Sequence, residues 1–176
     1  AAHYTPSHQD GTLAKGLLKV DLGVSVDGWL SDTAFSVNLA PEGTEEYEEN
    51  EKLIFAAQEG LKSAINYIKK NKQETFLSDL GKEIESAIKN NGKQPIVNLT
   101  GHSMNQYDLH SGISVSNVEN NNETPLGLGL VAIEPFTTSE GGVGRVKNGI
   151  NSGIYLLMDL KPIRSPLARK ILKYIH

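Results

Sequence analysis

A chain of 176 residues, 38% of them hydrophobic and carrying a net charge of -4, has room for one main core and excludes a second full domain. The absence of cysteine excludes disulfides and thiolate metal sites, and scattered lysines and arginines at a pI near 5.7 leave no footprint for nucleic acid. No apolar run reaches membrane-spanning length and no charged-then-apolar leader opens the sequence, so a cytoplasmic protein with no membrane or direct nucleic-acid partner is expected.

The first predicted element is a hairpin. Asp27-Gly28 suits a two-residue type I′ turn, which needs positive φ at both positions, and it places Val26 opposite Trp29 and Gly23 opposite Asp32. Side chains alternate along a strand, so Asp21 and Asp32 share one face and lie diagonally, roughly 7–8 Å apart. The other face carries Leu18, Val20, Leu22, Val24, Val26, Trp29, Phe35 and Val37, and it is expected to pack against helices, with Trp29 in the core.

Pro41-Glu42-Gly43 ends the second strand, and Thr44 followed by Glu45, Glu46, Glu48 and Glu49 suits a helix N-terminus. That helix is predicted to run to about Lys70, with Leu53, Ile54, Ala57, Leu61, Ala64, Ile65 and Ile68 on an apolar stripe and the glutamates on a solvated face. A second helix is predicted from Ser78 to Asn90, with Leu80, Ile84, Ala87 and Ile88 inward and Asn91-Gly92 as its stop. Both helices are expected to cover the hairpin. Strands follow at Asn98 to Tyr107, at Val131 to Glu134 and at Ile154 to Leu160, separated by a polar Asn120-Asn121-Asn122-Glu123 tip and a Gly141-Gly142-Val143-Gly144 loop. Ser165-Pro166 then caps a helix with Leu167, Ile171, Leu172 and Ile175 on its apolar side.

Two carboxylates held close repel, and burial makes each costlier to ionise, so they call for protons, cations or metal between them. Glu134 at the end of an apolar strand carries the same cost. Hard divalent ions accept carboxylate oxygen with some imidazole nitrogen, so Asp21, Asp32, His102 and Glu134 together suit a two-metal hydrolase site. Any one of these aspartates alone is ordinary for a hairpin, and a lone His3 or His110 is ordinarily a surface or core hydrogen-bonding residue.

Four segments carry a family resemblance: His3 in Ala1-Ala2-His3-Tyr4-Thr5-Pro6, the Asp21 and Asp32 pair, Gly101-His102-Ser103-Met104-Asn105-Gln106-Tyr107-Asp108-Leu109-His110, and Ala132-Ile133-Glu134-Pro135-Phe136. In this order they resemble type 2 methionine aminopeptidases of the archaeal kind. The resemblance implies the α/β pita-bread fold, a curved antiparallel sheet backed by helices, here incomplete. Residues 1–160 would form part of the catalytic domain, and 161–176, beginning Lys161-Pro162-Ile163-Arg164, the start of the helical insertion of type 2 enzymes. The implied cofactors are two divalent ions (Mn, Fe, Co or Zn). Asp21 would chelate one, Asp32 would bridge both, and His102 and Glu134 would complete the other's shell. Glu134 would also accept a proton from the attacking water. His110 would contact the scissile amide, His3 would line the pocket and support the tetrahedral intermediate, and Leu109 and Phe136 would help form the methionine pocket.

The implied substrate is the N-terminal methionine of peptides and nascent proteins, with possible ribosome association and a monomeric complete protein. Two alternatives stand beside it: a catalytically inactive pita-bread binding protein that docks on ribosomes or other proteins, and a prolidase-type dipeptidase. Asn105 stands where glycine is common in the family. The family's second metal-ligating glutamate, from a later strand, has no counterpart here, since Glu140 lies too close to Glu134. The chain is therefore expected to be an excerpt of a longer protein, with weak binding at the second metal position and poor activity as a segment.

Overall fold

The computed structural model describes Tyr4, residues 6–149 and residues 162–175. They fall into two compact units, one from Pro6 to Asn148 and the other including Tyr4, Gly149 and residues 162–175. The expected strand over Ile154 to Leu160 lies outside the described residues.

In the larger unit, β1 (Leu17–Val26) and β2 (Trp29–Asn38) form the hairpin in the expected register, with Val26 opposite Trp29 and Gly23 opposite Asp32. Asp27 at φ 51° and Gly28 at φ 81° make the turn. Thr44 caps α1 (Glu45–Asn71) by accepting a hydrogen bond from the Tyr47 amide at 3.1 Å, and three glutamates occupy its first turn. A 3-10 turn at Lys72–Glu74 leads to α2 (Leu77–Asn90). The residue before α2, Phe76, offers no side-chain cap; instead the backbone carbonyls of Thr124 and Asn122 accept from Leu77 N at 3.0 Å and Ser78 N at 2.9 Å.

Five short strands follow: β3 (Lys93–Pro95), β4 (Thr100–Met104), β5 (Ser114–Ser116), β6 (Leu130–Ala132) and β7 (Thr137–Ser139). All pairings are antiparallel, as expected for this architecture, but the described strands form separate ladders: the β1-β2 hairpin, a β3-β7 pair, and a three-stranded sheet in the order β5-β4-β6. Two strands are shorter than their sequence suggests. β4 stops at Met104 because Asn105 and Asp108 exchange backbone hydrogen bonds of 2.8 and 3.0 Å, closing a turn in which Tyr107 takes φ 60°. β6 stops at Ala132, and Glu134 lies beyond its ladder, immediately before Pro135, which has no N–H to donate.

The core gathers on α2. Leu77, Leu80, Ile84 and Ile88 pack with Ala64, Val115 and Leu126, against which Tyr67, Ile68, Ile113, Val131 and Ile133 also lie. Each fully buried large aliphatic side chain there contributes about 1.5–3 kcal/mol. Along α1 the buried positions are Asn50, Ala56, Gly60 and Ala64 rather than the whole anticipated stripe, of which Ile65 is exposed. These residues are mostly small, and a Cβ at Gly60 would already lie 3.2 Å from Pro135 and 3.3 Å from Ile88. The two helices thus bury their apolar faces on each other and on the strands after them. Most of the hairpin's apolar face is left out, contrary to expectation: Leu18, Val20 and Val37 are half-buried, but Leu22, Val24, Val26, Trp29 and Phe35 are 45% to 66% exposed, and Trp29 is not a core residue.

Polar contacts join the hairpin's open end to α1. Asn38 donates to the Tyr47 carbonyl at 3.0 Å and to Glu51 Oε1 at 2.9 Å, and accepts from Asn50 at 3.1 Å. Nor are all the α1 glutamates merely solvated, since Glu49 meets the buried Lys93 ammonium at 2.6 Å. In the other unit, α3 (Pro166–Ile175) starts at the anticipated Ser165-Pro166, and the Ser165 hydroxyl accepts from Ala168 N at 3.4 Å. Among the described residues, no helix is long and apolar enough to cross a membrane.

Gly81 lies in the middle of α2, where alanine would ordinarily stabilise by about 1 kcal/mol. Here an added Cβ would clash with the Val118 carbonyl. Gly81→Ala is therefore expected to destabilise by about 1–3 kcal/mol in urea unfolding, and a gain in stability would contradict the close packing of α2 on residues 118–119.

Candidate metal centre

His102 sits in β4, the middle strand of its sheet, paired with Ala132 on one side and Ser114 on the other. Gly101 before it allows a close approach: a Cβ there would clash with the Ala132 carbonyl and stand 3.1 Å from the Glu134 amide. The chain leaving β6 can therefore pass tightly over β4 and bring Glu134 to His102. The site needs glycine at 101 for space.

Asp32 arrives from the hairpin. His102 Nε2 is 3.3 Å from Asp32 Oδ2 and 3.1 Å from Glu134 Oε1, and one donor atom from each of the three residues lies within 4.8 Å of the others. The 3.1 Å approach is not aligned as a hydrogen bond, so the buried Glu134 Oε1 has no hydrogen-bond partner. His102 Nδ1 is likewise buried without one. Burial pushes the Glu134 carboxyl above the usual carboxylate range; His102 opposes that shift, and the nearby charges of Asp32 and Asp21 add to it.

These three side chains fit a divalent cation. Two carboxylate oxygens and one imidazole nitrogen are the donor types such ions take, and donors about 2.0–2.2 Å from a common ion stand about 3 Å from each other, close to the two spacings here. A cation between them would also engage the buried Glu134 oxygen that no hydrogen bond reaches.

The sequence-predicted residues are placed unequally. Asp32, His102 and Glu134 come together. Asp21, exposed on β1 and paired with Ala34, is outside the three-donor cluster, although its charge reaches Glu134. His110 packs against His102, ring centroids 4.2 Å apart and planes at 62°, with its other side exposed. Leu109 is 43% exposed beside it, and Phe136 is half-buried on the link between β6 and β7. His3 lies outside the described residues. Glu140 is exposed in a turn and takes no part in the cluster. Asn105 needs no glycine-like conformation, because its φ is not positive and its side chain accepts from the Gln106 amide at 2.8 Å. The sequence reading did not anticipate the packing of His110 on His102 or the space needed at Gly101, although the adjacency of Gly101 to His102 is visible in the motif.

No protein-family model matches the chain. It is 40% identical over 178 residues to the methionine aminopeptidase of Methanocaldococcus jannaschii, an alignment that takes in 99% of this chain and 56% of that protein. With the methionine aminopeptidase of Methanothermus fervidus the identity is 39% over 133 residues, covering 71% of this chain and 69% of the relative. The chain thus spans little more than half the length of the Methanocaldococcus protein. Among solved structures, methionine aminopeptidase from Thermotoga maritima superposes with a TM-score of 0.61 at 27% identity, over 72% of this chain and 49% of that one. Prolidase from Pyrococcus furiosus matches with a TM-score of 0.52 at 21% identity, over 72% of this chain and 35% of that one, a likeness of fold alone. The architecture is that of the pita-bread enzymes, and with 39% identity across more than two thirds of a relative's length, the chain belongs to the methionine aminopeptidase family.

Proposed function

We propose that the protein carrying this chain removes N-terminal methionine from peptides and nascent proteins by metal-assisted hydrolysis, as a type 2 member of its family. The observation that carries this reading is the convergence of Asp32, His102 and Glu134, with a buried carboxylate oxygen that no hydrogen bond engages. An inactive binding relative has no need of such a cluster, and the family supports an aminopeptidase over a prolidase-type dipeptidase. The length of the relatives supports reading this chain as part of a longer protein. On the resemblance of its motifs, residues 1–160 would lie in the catalytic domain and 161–176 would open a helical insertion.

Asp32, His102 and Glu134 would hold one divalent ion, and Asp21 with a share of Asp32 a second, more weakly held one. Such ions (Mn, Fe, Co or Zn), when bound, supply Lewis acidity and lower the pKa of water toward neutrality. Glu134 would take the proton of the attacking water and return it to the leaving amine. His110 presents its exposed side to the scissile amide, His3 supports the developing oxyanion, and Leu109 and Phe136 contribute apolar surface to the methionine side chain. We further propose a cytoplasmic, monomeric protein that meets its substrates at or near the ribosome.

Incubation of the metal-loaded protein with Met-Ala-Ser is expected to release free methionine, with no cleavage before proline in the dipeptide Ala-Pro; the reverse preference would favour the prolidase reading. Asp32→Asn is expected to lower turnover by about 100-fold or more, and full activity in that variant would sink the assignment. Glu134→Gln removes a buried charge, so metal-free stability should stay within about 1 kcal/mol of wild type or rise. The same variant should lose the increase in Tm that Mn(II) gives the parent protein, and an undiminished increase would remove Glu134 from the ligand set.

A further inference from the structure

Asp32 belongs to the hairpin ladder, whereas His102 belongs to a separate ladder and Glu134 to the segment leaving it. No described strand pairing carries the spacing of Asp32 to His102 from one ladder to the other. Two hydrogen bonds at the hairpin tip do join them. The Gln106 side-chain amide donates to the Asp27 carbonyl at 2.8 Å, and Tyr107 N donates to the Gly28 carbonyl at 2.7 Å.

The contact is built for this place. Tyr107 adopts φ 60°, a left-handed conformation that disfavours a bulky side chain, and the reciprocal Asn105 and Asp108 bonds close the turn that holds it there. Its ring covers Gly28 so closely that any Cβ at that position would clash, yet the residue is 79% exposed, so burial of the tyrosine is not what the arrangement gains. Gln106, too, is exposed. From this loop the chain returns directly to the site: Asp108 Oδ1 accepts from His110 N at 3.2 Å, Ser111 N donates to the Ser103 carbonyl at 2.9 Å, and the Ser111 and Ser103 hydroxyls meet at 2.9 Å.

We propose that Gln106 and Tyr107 are positioning residues that clasp the Asp27-Gly28 turn and thereby set Asp32 at metal-binding distance from His102 and Glu134. This rests on the metal-site reading above, but not on the identity of the substrate. The clasp couples the hairpin tip to the loop that follows His102, so loosening it allows the hairpin to move relative to β4 while both ladders stay intact. Outer contacts that orient metal ligands are commonly worth 10- to 100-fold in metal affinity.

The test is Co(II) titration of the purified protein, following the visible d–d absorption and the dissociation constant, for wild type, Gln106→Glu and Gly28→Ala. Gln106→Glu keeps the side chain's shape and removes the donor; on Coulomb grounds alone its added negative charge would tighten cation binding. A loss of affinity therefore reports geometry. Both variants are expected to weaken Co(II) binding by about tenfold and alter the absorption band, with Gln106→Glu keeping its metal-free Tm within about 2 °C of wild type. Unchanged affinity and spectrum in both variants would overturn the clasp, and so would absence of Co(II) binding by the wild type, which would remove the metal-site reading with it. Tight Co(II) binding that both variants weaken, without methionine release by the wild type, would leave the clasp standing and defeat only the aminopeptidase reading.

Discussion

Two carboxylates and an imidazole within 4.8 Å of one another form an arrangement that does not hold itself together. The carboxylates repel, and burial penalises the charge on Glu134, so their proximity must be imposed by the chain around them. Much of the structure is the means of imposing it. The α1 and α2 pair makes a base on which β5 and β6 rest, β4 lies between those strands, and the missing side chain at Gly101 brings the segment after β6 close enough for Glu134 to face His102. The energy that holds the donors in place comes from aliphatic burial elsewhere, chiefly around Leu80, Ile84 and Ile88.

The third donor is supplied differently. The hairpin that carries Asp32 leaves much of its apolar face exposed and is tied to the rest of its unit by polar contacts, with Asn38 bonded to α1 at one end and the Asp27-Gly28 turn bonded to Gln106 and Tyr107 at the other. Hydrogen bonds are directional, and a strand fixed at both ends by directional contacts can hold a side chain at a set distance with little burial beneath it. The cost is low rigidity wherever either end is loosened.

What could be read from the sequence follows from the range of the forces involved. The hairpin register was legible because Asp27-Gly28 admits one tight turn and alternation does the rest. The helices were legible from Thr44, the acidic first turn and the spacing of Leu80, Ile84 and Ile88. The donors Asp32, His102 and Glu134 were legible because a carboxylate among apolar strand residues needs a charge partner, and the family resemblance ordered them. What was not legible depends on contacts between distant segments. Whether α1 and α2 cover Trp29 and Phe35 depends on what else these helices bury, and they face each other through small residues at Gly60 and Ala64. The pairing of Glu49 with Lys93 crosses 44 positions, and nothing local distinguishes Glu49 from its solvated neighbours. The strand ends at Met104 and Ala132 were missed because a turn closed by Asn105 and Asp108 and an exit before Pro135 stop the ladders before the predicted strand ends.

The start of α2 bears on the order in which the molecule assembles. The first turn of α2 closes locally, Leu80 N donating to the Phe76 carbonyl at 3.2 Å, but its first amides are left to water until a loop more than thirty residues beyond the helix end brings the carbonyls of Asn122 and Thr124. During synthesis that segment emerges after the helix, so α2 spends the interval with a frayed beginning and with Leu77 and Leu80 unprotected. Closing the intervening loop must be offset by the same contacts that finish the helix. The segment 122–126 thus both meets the first amides of α2 and brings Leu126 into the hydrophobic centre, so the start of the helix and the centre on which His102 and Glu134 rely are finished by the same contacts.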